Sequence, residues 1–198
     1  MSDKLVLSQE QEDALSEIFN IGIGRAASVL SHMTEKRVAL ITPKVEIIPQ
    51  NEMTSYFKMD GVEISSIKMS FHGDYEGSSA IFFPNDSALK LVNLLTDEDE
   101  SSDDFDGILT ETLKEVGNIV VNSVLGSLSN ILNCRLEYSL PNYNRNKFEN
   151  VFSTEDQGYG ILADTDFSLD ENQVAGKIII LLSLDSSMSV WKRLADWT

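Results

Sequence analysis

Two segments of the chain share one pattern of residues. Residues 13–24 read DALSEIFNIGIG, and residues 111–122 read ETLKEVGNIVVN. In each segment an acid, a glutamate and an asparagine follow at spacings of four and three: Asp13, Glu17 and Asn20, then Glu111, Glu115 and Asn118. The apolar residues between them recur at helical spacing, which predicts one amphipathic helix per segment.

The similarity extends well beyond these two segments. When residues 13–43 are aligned with residues 111–141, eight of the 31 positions are identical without a gap, whereas unrelated segments of ordinary composition would match at about two. The identical pairs are Leu15/Leu113, Glu17/Glu115, Asn20/Asn118, Ile21/Ile119, Leu30/Leu128, Ser31/Ser129, Arg37/Arg135 and Pro43/Pro141. A strand-like run followed by a second helical pattern also recurs, at residues 82–95 and 181–194. The sequence therefore contains an internal repeat, whose two copies are offset by 98 residues.

Alternating apolar and polar residues predict the strands between the helices. The pattern runs through residues 38–47, 62–71 and 78–83 in the first half, and through 158–169 and 174–184 in the second. Each half is interpreted as helix, three strands, helix. We predict an α+β fold, a tandem pseudo-two-fold repeat in which two long motif helices pack on one shared, mainly antiparallel six-stranded sheet.

The repeat also predicts the domain organisation. We expect one domain over residues 1–198, made of repeats at about 1–96 and 107–198. An acidic linker at 97–106, with seven acids in ten residues, joins them. The polar segment 142–156 is expected to be a loop.

The charge of the chain excludes some classes of partner. Its 32 acidic and 15 basic residues give a net charge of −17, and such a surface repels nucleic acid and anionic lipid. The single cysteine, Cys134, cannot form an internal disulfide and suits a reducing compartment. The sequence has neither a signal-peptide pattern nor an apolar run long enough to span a membrane, so we predict a cytoplasmic protein without membrane contacts.

The motif helices each carry a polar stripe. The first helix is predicted to begin at Ser8, with Gln11 completing a capping box. Its stripe consists of Asp13, Glu17, Asn20 and Gly24, and the matching stripe of Glu111, Glu115, Asn118 and Asn122. A solvated helix face would explain a single stripe. Asparagine and glycine are poor residues for a helix interior, however, and their recurrence at equivalent positions favours a functional site.

Other reactive residues suggest no metal or cofactor site in this chain. His32, His72 and Cys134 lack metal-ligand spacing. His32 is expected near a helix end, where it complements the dipole, and Cys134 is expected to be inert. Gly22 and Gly24 lack the third glycine and the preceding strand of a dinucleotide-binding fingerprint.

The motif resembles that of the CheC, CheX and FliY phosphatases, whose mark is Asp or Ser, three residues, Glu, two residues, Asn, then about 22 residues and Pro. Here Asp13, Glu17 and Asn20 are followed by Pro43, and Glu111, Glu115 and Asn118 by Pro141. Glu111 departs from the pattern, since the family has Asp or Ser there. The resemblance covers essentially the whole chain.

The resemblance implies a function in bacterial or archaeal chemotaxis signalling. The chain would hydrolyse the aspartyl phosphate of a CheY-like response regulator. Asn20 and Asn118 would orient the attacking water, while Glu17 and Glu115 would pair with a lysine of the regulator. Mg²⁺ would come from the regulator, and this chain would bind no cofactor of its own.

Two other interpretations remain open. The chain would be a non-catalytic binding module if it only sequesters a phosphorylated regulator or docks CheD, the receptor-modifying partner of the family. The two intact Glu–Asn pairs favour an enzyme, because a pure binder needs no water-holding amide. A flagellar switch component like FliY is disfavoured, since no switch domain follows Thr198.

Overall fold

The computed structural model describes residues 8–57, 61–151, 158–169 and 172–197. In these ranges the helices are α1 (Gln9–Thr34), α2 (Met53–Phe57), α3 (Asn85–Thr96), α4 (Phe105–Ile131), α5 (Phe148–Val151) and α6 (Leu184–Trp197). The strands are β1 (Val38–Pro49), β2 (Glu63–Gly73), β3 (Gly77–Pro84), β4 (Leu136–Tyr138), β5 (Asn142–Lys147), β6 (Gly158–Leu169) and β7 (Asn172–Ser183). A 3₁₀ turn, Gln50–Glu52, joins β1 to α2. None of the helices described is both long and apolar enough to cross a membrane.

Helix α1 begins where the sequence predicts. The backbone N–H of Gln11 donates to the Ser8 hydroxyl at 3.3 Å, and the backbone N–H of Ser8 donates to the Gln11 side chain at 2.9 Å. This capping box satisfies donors that have no partner within the helix. The apolar side chains of α1, among them Leu15, Ile18 and Phe19, are buried. The polar stripe is therefore left on the outer side of the helix.

The strands form one curved sheet in the order β1, β6, β7, β3, β2, and both β4 and β5 pair with the outer edge of β2. Each pairing between described strands is antiparallel. Let β4 and β5 together correspond to β1, β6 to β2, and β7 to β3. Exchanging the strands of the two halves then gives the same order, read from the opposite edge of the sheet. The predicted α+β class with a shared antiparallel sheet is confirmed, while the two-fold relation of the halves stays a prediction.

The described sheet has seven strands rather than the predicted six, because the counterpart of β1 is interrupted. β4 pairs with residues 71–73 of β2, and β5 pairs with residues 63–68. Pro141 lies between β4 and β5, where its missing N–H leaves no ladder bond unmade. Pro43 likewise lies at a register shift between Ile41 and Lys44 in edge strand β1. Both motif prolines thus mark irregularities in edge strands.

The predicted loop at residues 142–156 is wrong for residues 142–151, which form β5 and α5. The side chains of β5 are exposed or half-buried, as a sheet edge allows, and its backbone groups pair with β2. Arg145 also forms an ion pair with Glu63 of β2 at 3.2 Å. Residues 152–156 lie outside the described residues.

The segment predicted to be an acidic linker lies mostly between helices α3 and α4. α3 ends at Thr96, and α4 begins at Phe105, so only the last two residues of the predicted linker are helical. The division of the chain into two repeats of one domain stays a prediction.

Apolar side chains form a core on each face of the sheet. The larger core includes residues of α1, α3, α4 and α6, and the smaller one residues of α2 and α5. Ile178 and Ile180 of β7 belong to the larger core and Ile179 to the smaller, as the alternation of side chains along a strand requires. Both motif helices therefore lie on the same side of the sheet.

Candidate functional site

Both polar stripes lie at the surface of the motif helices. On α1, the side chains of Asp13, Glu17 and Asn20 are exposed, and Gly24 is exposed one turn further on. On α4, Glu111 and Glu115 are exposed, while Asn118 and Asn122 are half-buried. The structure thus brings each acid and each amide of the sequence motif to an accessible helix face.

The two motif helices pack closely against each other. A Cβ atom added at Gly22 of α1 would lie 2.6 Å from the Cα of Val124 and 2.9 Å from the carbonyl oxygen of Ser123, both in α4. The Arg25 guanidinium of α1 also donates to the hydroxyl of Ser127 at 3.3 Å. One packed pair of helices therefore carries both stripes, and the small residue at Gly22 permits the close contact.

The other motif glycines have different surroundings. Apart from its chain neighbours and the backbone of α1, no described atom lies within 4 Å of a Cβ added at Gly24, so that position is open at the surface. At Gly117, an added Cβ would come to 2.5 Å from Cγ2 of Ile67 in β2. Because Gly117 has no side chain, α4 can pack closely on β2 next to Asn118. Gly24 instead leaves open space at the surface near Asn20.

The glutamates of the two motifs have no partner among the described residues, as neither Glu17 nor Glu115 has a hydrogen bond or ion pair to another described side chain. Asp13 and Glu111, the first acid of each motif, contact a nearby side chain of their own helix. The Gln9 side chain donates to Asp13 at 3.0 Å, and Lys114 forms an exposed ion pair with Glu111 at 2.9 Å. The carboxylates of Glu17 and Glu115 are thus free to accept a cation from a docked molecule.

The two asparagines differ in their hydrogen bonds. The side-chain amide of Asn122 donates to the carbonyl oxygen Oδ1 of Asn118 at 2.8 Å. The side chain of Asn20 has no hydrogen-bond partner within the described part of the chain. The spacing of Asn118 and Asn122 places them one turn apart, which is the signal for this contact, although the sequence does not reveal the bond itself.

The described histidines and the cysteine lie apart from the two polar stripes and from one another. His32 lies in the last turn of α1, as predicted. His72 lies 3.3 Å from Glu137 across an edge strand pair. Burial raises the pKa of the half-buried Cys134 thiol, which leaves little reactive thiolate near neutral pH. Within the described ranges, no group of three His, Cys, Asp or Glu residues is placed to hold a metal ion.

Two models of protein families match this chain. Residues 10–47 match the CheC-like family, and residues 65–161 match the family described as chemotaxis phosphatase CheX. The first match contains Asp13 to Pro43, and the second contains Glu111 to Pro141, so each copy of the motif lies inside a match. The chain belongs to the CheC/CheX/FliY family.

Relatives and solved structures agree with this membership. This family member is 27% identical to the CheY-P phosphatase CheC of Bacillus subtilis (strain 168) over 150 residues, which are 74% of this chain and 72% of CheC. Its fold resembles that of FliY from Thermotoga maritima, with a TM-score of 0.74, 19% identity and coverage of 98% of this chain and 100% of FliY. A CheX–CheY–BeF₃–Mg²⁺ complex from Borrelia burgdorferi matches with a TM-score of 0.52, 21% identity and coverage of 84% and 96%.

Proposed function

We propose that this protein is a phosphatase that hydrolyses the aspartyl phosphate of a CheY-like response regulator in chemotaxis signalling. The observation that carries the proposal is the pair of accessible Glu–Asn sites, Glu17–Asn20 and Glu115–Asn118, whose carboxylates have no described partner. The name of the B. subtilis relative, CheY-P phosphatase CheC, and the solved complex of CheX with CheY support the same reaction class.

The proposed mechanism assigns a different task to each residue type. A phosphoryl group bound to an aspartate is attacked in line by water, so positioning that water is the main contribution an added protein can make. A carboxamide accepts and donates hydrogen bonds without adding negative charge near the phosphoryl oxygens. Asn20 and Asn118 would hold the water, and Glu17 and Glu115 would bind a lysine of the regulator.

The negative charge of the chain is compatible with a reaction in which the regulator supplies the lysine and the Mg²⁺. A net charge of −17 opposes the binding of a free phosphate ester. A regulator that supplies its own lysine and Mg²⁺ brings the positive charge to the reaction. The acidic stripes of α1 and α4 then attract the lysine rather than repel the substrate.

The direct test is the rate of phosphate loss from a phosphorylated regulator. The protein, added in substoichiometric amounts, is expected to accelerate hydrolysis and to turn over many times. Binding without acceleration would instead make the protein a sequestering module. If it neither binds nor accelerates any phosphorylated regulator of its own cell, the proposal is wrong.

Replacing the glutamates is expected to weaken docking. In Glu17→Gln/Glu115→Gln, the loss of the carboxylates should raise the Kd for a beryllofluoride-activated regulator about tenfold or more, because each loses a charge-assisted contact at the interface. Surface plasmon resonance measures the change. Glu12→Gln is the control, since it removes the same charge from α1 roughly 140° around the helix from Glu17. An equal loss in the control would indicate general charge attraction instead of a specific lysine contact.

The reaction is expected to depend on Mg²⁺ while the protein alone does not bind it. Titration of the isolated protein with MgCl₂ or ZnCl₂ should give no stoichiometric binding in a calorimeter, because no three His, Cys, Asp or Glu side chains among the described residues are placed to hold a metal ion. Chelation of Mg²⁺ after phosphorylation of the regulator should abolish the acceleration, with the regulator alone as the control. Stoichiometric metal in the purified protein would contradict this expectation.

A further inference from the structure

Besides the outer acids Asp13 and Glu111, the two polar stripes differ at the position one turn after the motif asparagine. At the offset of 98 residues, Gly24 of α1 corresponds to Asn122 of α4. The Asn122 side chain donates to Oδ1 of Asn118 at 2.8 Å, whereas the Asn20 side chain has no hydrogen-bond partner among the residues described. Asn20 is also exposed, while Asn118 is half-buried. The two amides that would hold the water therefore differ in hydrogen bonding and in exposure.

This difference bears on the orientation of a water molecule. An attacking water directs a lone pair at phosphorus, so its hydrogens need acceptors, and the carbonyl oxygen of an asparagine can be one. In the second site that oxygen already accepts from Asn122, which occupies one lone pair and fixes the carboxamide along the helix. In the first site the carboxamide can rotate toward a docked phosphoryl group.

We infer that Asn122 restrains the carboxamide of Asn118, so that the Glu17–Asn20 site carries most of the turnover. Asn122 is a positioning residue in this scheme, because it acts through Asn118 and not on the substrate. The inference rests on the proposed phosphatase function. It makes position 24 in α1 and position 122 in α4 the determinant of the balance between the sites.

The repeat allows the determinant to be removed from one site and installed in the other. Asn122→Ala removes the donor and keeps a good helix former. Gly24→Asn introduces a donor at the matching place, and beyond its chain neighbours and the backbone of α1 no described atom lies within 4 Å of the added Cβ. Each change is made where only one site works: Asn122→Ala in the Asn20→Ala background, and Gly24→Asn in the Asn118→Ala background.

The expected results are opposite in sign. Asn122→Ala should raise the kcat of the second site about three- to tenfold, the factor that one ordinary hydrogen bond represents, with little change in KM. Gly24→Asn should lower the kcat of the first site by a similar factor. Gly24→Ala should lower it less than Gly24→Asn, since it adds volume without a donor. Before these changes, Asn118→Ala should retain more activity than Asn20→Ala.

The controls separate this inference from the proposed function. Asn130→Ala removes an exposed amide from the same helix, about 18 Å along its axis from Asn118, and should leave the second site unchanged. An active wild type whose second site does not respond to Asn122→Ala overturns the inference alone, as does an equal loss with Gly24→Ala and Gly24→Asn. A wild type that does not accelerate hydrolysis overturns the proposed function.

Discussion

The Asn20→Ala/Asn118→Ala variant is expected to lose nearly all its acceleration of regulator dephosphorylation while it still folds and binds the phosphorylated regulator. We expect kcat to fall about a hundredfold to a thousandfold with little change in KM, the range found when one positioned polar group is removed from a catalytic site. Both asparagines are at least partly accessible, and alanine is the better helix former, so stability should change little. Dephosphorylation rates and binding of a beryllofluoride-activated regulator measure the two properties.

The single variants complete this experiment. The sites lie on different helices, so the losses in Asn20→Ala and Asn118→Ala should add up to the whole activity, with the larger loss in Asn20→Ala. Circular dichroism and thermal unfolding confirm that each variant is folded. A double variant that dephosphorylates as fast as the wild type would refute the water-positioning role of the asparagines.

Local rules were sufficient to predict the motif helices. The start of α1 could be predicted because Ser8 and Gln11 complete a capping box whose geometry depends only on neighbouring residues. The accessible faces could be predicted because a helix repeats every 3.6 residues, which places Glu17 and Asn20 opposite the buried Ile18 and Phe19. Neither inference requires knowledge of what packs against the helix.

Strand β5 escaped prediction because its stability comes from its neighbour. Residues 142–147 read NYNRNK, without the apolar alternation that identifies a strand. An edge strand can be polar on both faces when the adjacent strand satisfies its backbone groups, as β2 does here. The break at Pro141 divides the predicted sixth strand into β4 and β5. Such a break is tolerated at an edge of the sheet, and only the strand order reveals that position.

The sequence could predict which residues line the candidate site, but not the hydrogen bonds between their side chains. Equal spacings place Asn122 one turn from Asn118 just as they place Gly24 one turn from Asn20. Whether the Asn122 amide turns toward Asn118 or toward solvent depends on side-chain rotamers, and these follow from local crowding rather than from spacing. The asymmetry between the sites therefore emerges only from the hydrogen bond between the two asparagines of α4.

A matched pair of glycine substitutions is expected to change stability in opposite directions. Gly22→Ala places a Cβ 2.6 Å from the Cα of Val124. Because backbone atoms cannot rotate away, we expect a net loss of about 1–3 kcal/mol, despite the gain in helix propensity. Gly24→Ala lies two residues further on, where no described atom outside its chain neighbours and the backbone of α1 lies within 4 Å of the added Cβ. It should gain up to about 1 kcal/mol. For a chain of this size each kcal/mol shifts Tm by about 2–4 °C, so urea and thermal unfolding resolve both changes. Equal shifts in the same direction would show that α1 and α4 do not pack at Gly22. A separated pair of helices would also no longer hold the two polar stripes in a fixed relation.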